Sequence, residues 1–319
     1  LFFLLATVIY FSPEFFDGKS LPQHDVTQFK GSSEDLRSYY DNEGESSAWT
    51  GGMFSGMPAY QIGVWGGSPN MLDYVEAPLK ALGKTTAGTV FTGMLMAYIL
   101  FLILGFRIPM AMFGAVAYSL SSYNIIILDA GHVTKAWALA YMPIVVAGIL
   151  AMYKNKYIVG GLCMALGLAL QIKNNHLQMT YYTAILCLIL YIGLVIKNIK
   201  GKTYFSLIKS SGILALAVAI ALITNAAAIY SNFEMSQTST RGKSELTAQA
   251  GENQKTDGLD KDYVFGWSYG KAETFSLLVP NIHGGGSVTW LDSSSNLHNE
   301  MVKQGYGSQI DAKGVQAYT

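Results

Sequence analysis

Charge is what this sequence lacks most. Of its 319 residues only 13% are Asp, Glu, Lys or Arg, where a soluble domain carries about a quarter. Hydrophobic residues make up 51%, and the mean hydropathy is positive. That profile excludes an ordinary soluble domain and indicates a membrane protein with sizeable water-exposed parts. The 21 basic and 21 acidic residues cancel, so no basic field draws nucleic acid and no such partner is expected. Cysteine is also scarce. Cys163 and Cys187 both lie inside apolar runs, as small buried hydrophobes rather than a disulfide framework or a metal site. No P-loop, HExxH, CxxC or GxSxG pattern occurs, and no repeat period is visible.

Long apolar runs are what is there. The first, LFFLLATVIYF at residues 1–11, is shorter than the roughly 20 residues of a spanning helix. It has no basic flank or small-residue cleavage site of a signal peptide. It is expected to be a truncated first transmembrane helix, with the chain the N-terminal part of a longer polytopic protein. Six further spans are predicted at 88–105, 108–128, 134–153, 157–172, 176–196 and 208–230. Pro109 falls in a first helical turn, where its missing N–H costs nothing, whereas Pro143 predicts a kink. Small residues recur in GGLCMALGLAL and ILALAVAIALITNAAA, which suits close helix contact in lipid.

Orientation follows from basic residues in the short loops. One alternating set contains Arg107, Lys154, Lys156, Lys197, Lys200 and Lys202; the other contains only Lys135 and Lys173. The positive-inside rule places the first set in the cytoplasm. Residues 12–87, the loops near 129–135 and 173–176, and the segment 231–319 are then extracytoplasmic. The first of these contains amphipathic pieces, SSEDLRSYY and NMLDYVEAPLKAL, around the Gly- and Met-rich WTGGMFSGMPAYQIGVWGG. A helix is predicted from about Ser33, where an N-cap precedes acids in the first turn.

Polar and ionisable residues gather on that external side: His24 and Asp25; Asp129, His132 and Lys135; Lys173, Asn174, Asn175, His176 and Gln178; Arg241, Lys243 and Glu245. Such residues at helix ends are costly inside a bundle unless paired or functional. Each also has a plain structural account. His132 either caps a helix or sits at headgroup level, His176 follows two asparagines able to cap, and Asp129 ends a helix. Lys135 and Lys173 read as snorkelling anchors. Arg241 suits a lipid phosphate through bidentate hydrogen bonds, or an ordinary anionic headgroup. HGGGS at His283 is similar to a lipase oxyanion loop, yet without a nucleophile elbow it reads as a Gly-rich external loop.

QHDVTQFKG, WTGGMFSGMPAYQIG, GHVTKAWALAYMPIVVAGI, NNHLQMTYY, STRGKSEL and GLDKDYVFGWSYGKAETFSLLVPN, in that order along nearly the whole chain, resemble the YfhO family of bacterial membrane proteins, in the long versions typical of Bacteroidota. The resemblance implies a GT-C-like, all-α polytopic membrane protein with a large first extracytoplasmic loop in the bacterial plasma membrane. It also implies a glycosyltransferase that moves a sugar from a polyprenyl-phosphate carrier to a cell-envelope glycan or glycolipid acceptor. The class carries an essential acid near the start of its first external loop, the place of Asp25, as general base. From their side of the membrane and their charge, Arg241 and Lys243 are expected to cradle the phosphate, and His24, His132 and His176 to orient substrate or tune the base. Asp260, Asp262, Trp267, Tyr269 and Glu273 come to the same face, with Trp267 and Tyr269 as acceptor contacts or interface anchors. No organic cofactor is expected, and the class leaves a divalent metal open. The alternative is a non-catalytic membrane protein: a lipid or envelope-precursor transporter, or an assembly scaffold. A transporter predicts ionisable residues near the midplane and an internal repeat.

Overall fold

The computed structural model describes residues 1–66, 70–238, 265–266, 268, 270–277, 290–291, 296–306 and 315–316. The chain divides into two compact units, Leu1–Met235 and Ser236–Thr319. In the first, short helices α1 (Phe2–Tyr10), α2 (Ser12–Phe16), α3 (His24–Ser32) and α4 (Glu34–Glu43) precede a small antiparallel pair, β1 (Trp49–Thr50) and β2 (Met57–Pro58). Then follow α5 (Met71–Lys80), α6 (Ala87–Leu104), α7 (Ile108–Ser119), α8 (Ser122–Ala130), α9 (Val133–Tyr153), α10 (Tyr157–Lys173), α11 (Leu177–Lys200), α12 (Tyr204–Thr224) and α13 (Ala226–Thr238). The second unit, taken by itself, shows a 3-10 turn at Glu273–Leu277, helix α14 (Asn296–Lys303), and the antiparallel pair of β3 (Trp290–Leu291) with β4 (Val315–Gln316).

Four of these helices, α6, α9, α11 and α12, are long and apolar enough to cross a membrane. The expected span at 108–128 is a bent pair: α7 and α8 meet at 40°. The break falls where Ser121 adopts an extended conformation, ψ 147°, at the cap of α8. Pro109 lies in the first turn of α7, as expected. Pro143 sits inside α9, which continues as one helix on both sides of it. The apolar run at 157–172 forms α10, shorter than the others at 17 residues. The expected last span, 208–230, needs correction. Its helix, α12, stops at Thr224, and Asn225 donates to the carbonyls of Ala169 and Ala221 at 3.0 and 2.9 Å before α13 begins.

Helix α9 is the central element, with 83% of its apolar window buried, against 17% for α11 and 22% for α12. Its neighbour α10 approaches closely because glycines meet there. A Cβ on Gly160 would lie 2.7 Å from the Gly148 carbonyl oxygen, the close backbone approach that small residues permit between apolar helices. Around α9, Trp137 and Tyr141 stack with centroids 5.8 Å apart and join Met96, Ile144, Leu170 and Ala221 in one buried cluster. Leu72 of α5 belongs to the same cluster. That loop helix is therefore docked into the end of the bundle, not lying free in solvent.

The turns sort into two ends. At one, Lys197 donates to the Tyr153 carbonyl (2.5 Å) and Ser206 to the Asn155 side chain (3.0 Å). At the other, the first loop meets the α8–α9, α10–α11 and α12–α13 turns: Gln23 reaches the Leu128 carbonyl, Asn174 reaches Glu76, and Asn70 reaches the Thr224 carbonyl. In α4, Ser33 occupies the N-cap position as expected, but its hydroxyl donates back to the Phe29 carbonyl instead of capping.

Candidate functional site

Asp25 stands in the first turn of α3, where the exposed N–H groups of a helix start favour a carboxylate. The preceding Gln23 fixes that start. Its amide, almost fully buried, donates to the carbonyls of Leu128 (2.6 Å) and Thr85 (3.1 Å). Beneath it Gly131 ends α8 with φ +85°, a left-handed conformation that glycine takes without steric cost. A Cβ there would sit 3.2 and 3.3 Å from the backbone nitrogens of Val26 and Asp25. The start of α3 thus rests on the α8–α9 turn. The contact brings Asp25 Oδ2 to 3.0 Å from His132 Nε2, with both side chains nearly half exposed (46% and 44%).

His132 occupies the N-cap position of α9 but makes no side-chain cap; its ring turns to Asp25 instead. His24 Nδ1 lies 3.6 Å from Asp25 Oδ1. Two residues on from His132, in the first turn of α9, Thr134 Oγ1 meets His176 Nδ1 at 3.4 Å, so the third loop adjoins the same end of α9. Burial holds the His176 imidazole below its usual range, assisted by the nearby Lys135 and His132. Lys135 itself lies 5.2 Å over the Tyr123 ring. Asp25 thus meets His132 and His24, while His176 meets Thr134 in the first turn of α9.

Other expected members fall elsewhere. Arg241, Lys243, Trp267 and Tyr269, with Asp260, Asp262 and His283, lie outside the described residues. Glu273, in the second unit, accepts from the Gly270 backbone N–H at 2.7 Å. Asp129 lies at the end of α8 and lines a cleft of about 500 Å³ together with Tyr10, Phe11, Glu14, Lys19 and Ile126. Asp25 is not part of that lining. Among the described residues no group of three or more His, Cys, Asp or Glu is placed to hold a metal ion.

The strongest electrostatic feature was not anticipated from sequence. Glu76 of α5 is 1% exposed, and both its oxygens are saturated. Oε2 accepts from Lys173 (2.5 Å) and Lys80 (2.6 Å); Oε1 accepts from Asn174 (2.5 Å) and Tyr141 (3.1 Å). Lys173 also pairs with Asp73 at 2.7 Å and is only 14% exposed. It is a partly buried bridging cation, not the snorkelling anchor expected at the end of an apolar run, because α5 carries two carboxylates down to it. The Lys173 hydrogen bond holds the Asp73 carboxyl below its ordinary range. For Glu76, burial pushes the carboxyl up, but the hydrogen bonds from Lys173, Lys80 and Asn174 outweigh it and hold it low. A carboxylate with four donors on two oxygens has no lone pair free for a substrate proton. This network holds α5 in the bundle end. Its sequence signal was the spacing of Asp73, Glu76 and Lys80, which puts all three on one helical face.

Comparison with protein-family models, with curated proteins and with solved structures found no match for this chain.

Proposed function

We propose that this chain is a multi-pass bacterial plasma-membrane enzyme of GT-C type, which transfers a sugar from a polyprenyl-phosphate carrier to a hydroxyl of an envelope glycan or glycolipid. The chemistry takes place on the external face, opposite the turns rich in Lys and Arg. Asp25 is the carboxylate on which deprotonation of the acceptor depends. Arg241 and Lys243 are assigned to the departing phosphate, and His24 and His176 to orienting substrate. Trp267, Tyr269 and Glu273 are assigned to the acceptor. The observation that carries the reading is the 3.0 Å contact of Asp25 with His132. It joins two segments, more than a hundred residues apart in sequence, into a half-exposed acid–base pair at the end of the bundle predicted to be external. The starts of α3 and α9 at this pair supply positive helix ends suited to an anionic donor.

Two observations favour a transporter or scaffold instead: Glu76 is buried with its charge paired in the bundle end, and one span, α7–α8, is broken. Saturation of Glu76 weighs against ion or proton transport through it, since every acceptor position on it is filled. The test is Asp25→Asn in cells that depend on this chain, with envelope glycan quantified by sugar analysis. The enzyme reading expects normal protein level and loss of the transferred sugar. Full glycan in this variant would sink the reading and leave the scaffold.

A further inference from the structure

A carboxylate only accepts hydrogen bonds. Across the 3.0 Å ion-pair distance between Asp25 Oδ2 and His132 Nε2, the carboxylate's charge favours a proton on the facing imidazole nitrogen. In the neutral ring that arrangement corresponds to the tautomer with hydrogen on Nε2, in which Nδ1 presents its lone pair. The backbone around the ring is held as well, since His132 N–H donates to the Ile127 carbonyl at 3.1 Å and its own carbonyl accepts from Ala136 N–H at 2.9 Å. Among the described residues Nδ1 has no hydrogen-bond partner, and the ring is 44% exposed. A basic nitrogen is thus oriented, backed by a carboxylate and open to a ligand.

We infer that His132, through Nδ1, is the group that takes the proton from the acceptor hydroxyl, with Asp25 as the positioning residue that fixes its tautomer and stabilises the imidazolium. The family resemblance assigns the proton to Asp25 itself. The geometry moves it one residue outward in the chain of contacts, and the inference rests on the glycosyl-transfer reading.

The step balances without a further reagent. The acceptor oxygen forms its bond to the anomeric carbon as its proton passes to Nδ1. The bond from that carbon to the carrier oxygen breaks, and its electron pair leaves with the lipid phosphate. The imidazolium keeps its Nε2–H on Asp25, whose negative charge it faces, until the proton passes to solvent. The other ionisable groups around the dyad are His24 on α3, Lys135 on α9 and His176 at the α10–α11 turn, whose imidazole burial holds below its usual range.

Three variants of the full chain separate the roles, each expressed in cells lacking the wild-type copy and read by sugar analysis of the envelope. His132→Gln keeps an amide N–H able to donate to Asp25, so the contact between α3 and α9 persists, yet it offers no basic nitrogen. It is expected to lower sugar transfer about 100-fold or more, within the range of a lost general base. His132→Ala is expected to be as inactive and to regain transfer when free imidazole is added to the medium, which a merely structural role for the ring does not predict. Asp25→Asn is expected to be inactive and to gain nothing from imidazole. Wild-type transfer by His132→Gln while Asp25→Asn is inactive, or no imidazole rescue of His132→Ala, overturns the assignment and returns the proton to Asp25. Wild-type transfer by Asp25→Asn instead overturns the glycosyl-transfer reading itself.

Discussion

Removing the Glu76 carboxylate is the severest test of how the first loop is held. In Glu76→Ala, Lys80, Asn174 and the Tyr141 hydroxyl lose an acceptor, and Lys173 loses one of its two anions. Breaking a buried ion pair from one side costs about 3–5 kcal/mol. Because Lys173 keeps Asp73 at 2.7 Å, the low end applies, about 3 kcal/mol. At 2–4 °C per kcal/mol, that is a fall in melting midpoint of roughly 6–12 °C. The chain carries its own reporter. Cys163 is 9% exposed inside α10, so a thiol-reactive fluorophore in detergent registers opening of the bundle on heating. The double variant Glu76→Ala with Lys173→Ala is expected to melt higher than the sum of the single losses, because the stranded cation goes with its partner. Acid should mimic the mutation. The Glu76 carboxyl lies below its ordinary value of 4.5 when folded, so its contribution is complete above that value and is lost as pH falls through the folded one. Glu76→Gln should flatten that acid limb. An unchanged midpoint for Glu76→Ala, at neutral pH, would refute the claim that this network anchors α5.

Two further outcomes follow from the same geometry. Gly131→Ala forces a Cβ into a left-handed position, against the backbone of Asp25 and Val26; it should cost about 1–2 kcal/mol and impair envelope glycosylation much as Asp25→Asn does, measured by the same melt and sugar analysis. His176 is held below its usual 6.5 when folded, so the unfolded chain binds the proton first as pH falls. Stability is therefore lost from about 6.5 downward to the folded value, and His176→Gln should melt with less dependence on pH across that window.

Hydropathy and loop charge make much of this architecture legible in the sequence. Each predicted apolar segment from 88 onward forms helix, and Asp25 meets His132 across two of the loops that charge counting placed on one side. Less legible was how the segments are interrupted. The break at Leu120–Ser121 has no Pro or Gly to mark it, and serines in an apolar run are compatible with a continuous helix. Asn225 likewise ends α12 by reaching across to the Ala169 carbonyl, a partner no local pattern specifies. The Glu76 network was hidden for a related reason. Amphipathic spacing shows that α5 has an acidic face, but not what that face meets. Lys173 at the end of an apolar helix looks the same in sequence whether it reaches headgroups or a buried carboxylate. For the dyad, sequence supplied both residues; the tautomer came only from the 3.0 Å contact.

The docking of α5 also has a consequence for the order of manufacture. Glu76 lies 65 residues ahead of Tyr141 and 97 ahead of Lys173. At a synthesis rate of about 5–20 residues per second, Lys173 emerges roughly 5–20 s after Glu76. During that interval α5 has only Lys80 to pair its acid, and the surface that will receive it is incomplete. The early loop must wait, solvated and undocked, until α9 and α10 have been inserted. Helix α5 thus precedes its partners in the chain and docks after them. A nascent chain arrested between Tyr153 and Lys173 should expose it to protease, and one arrested beyond Asn174 should protect it.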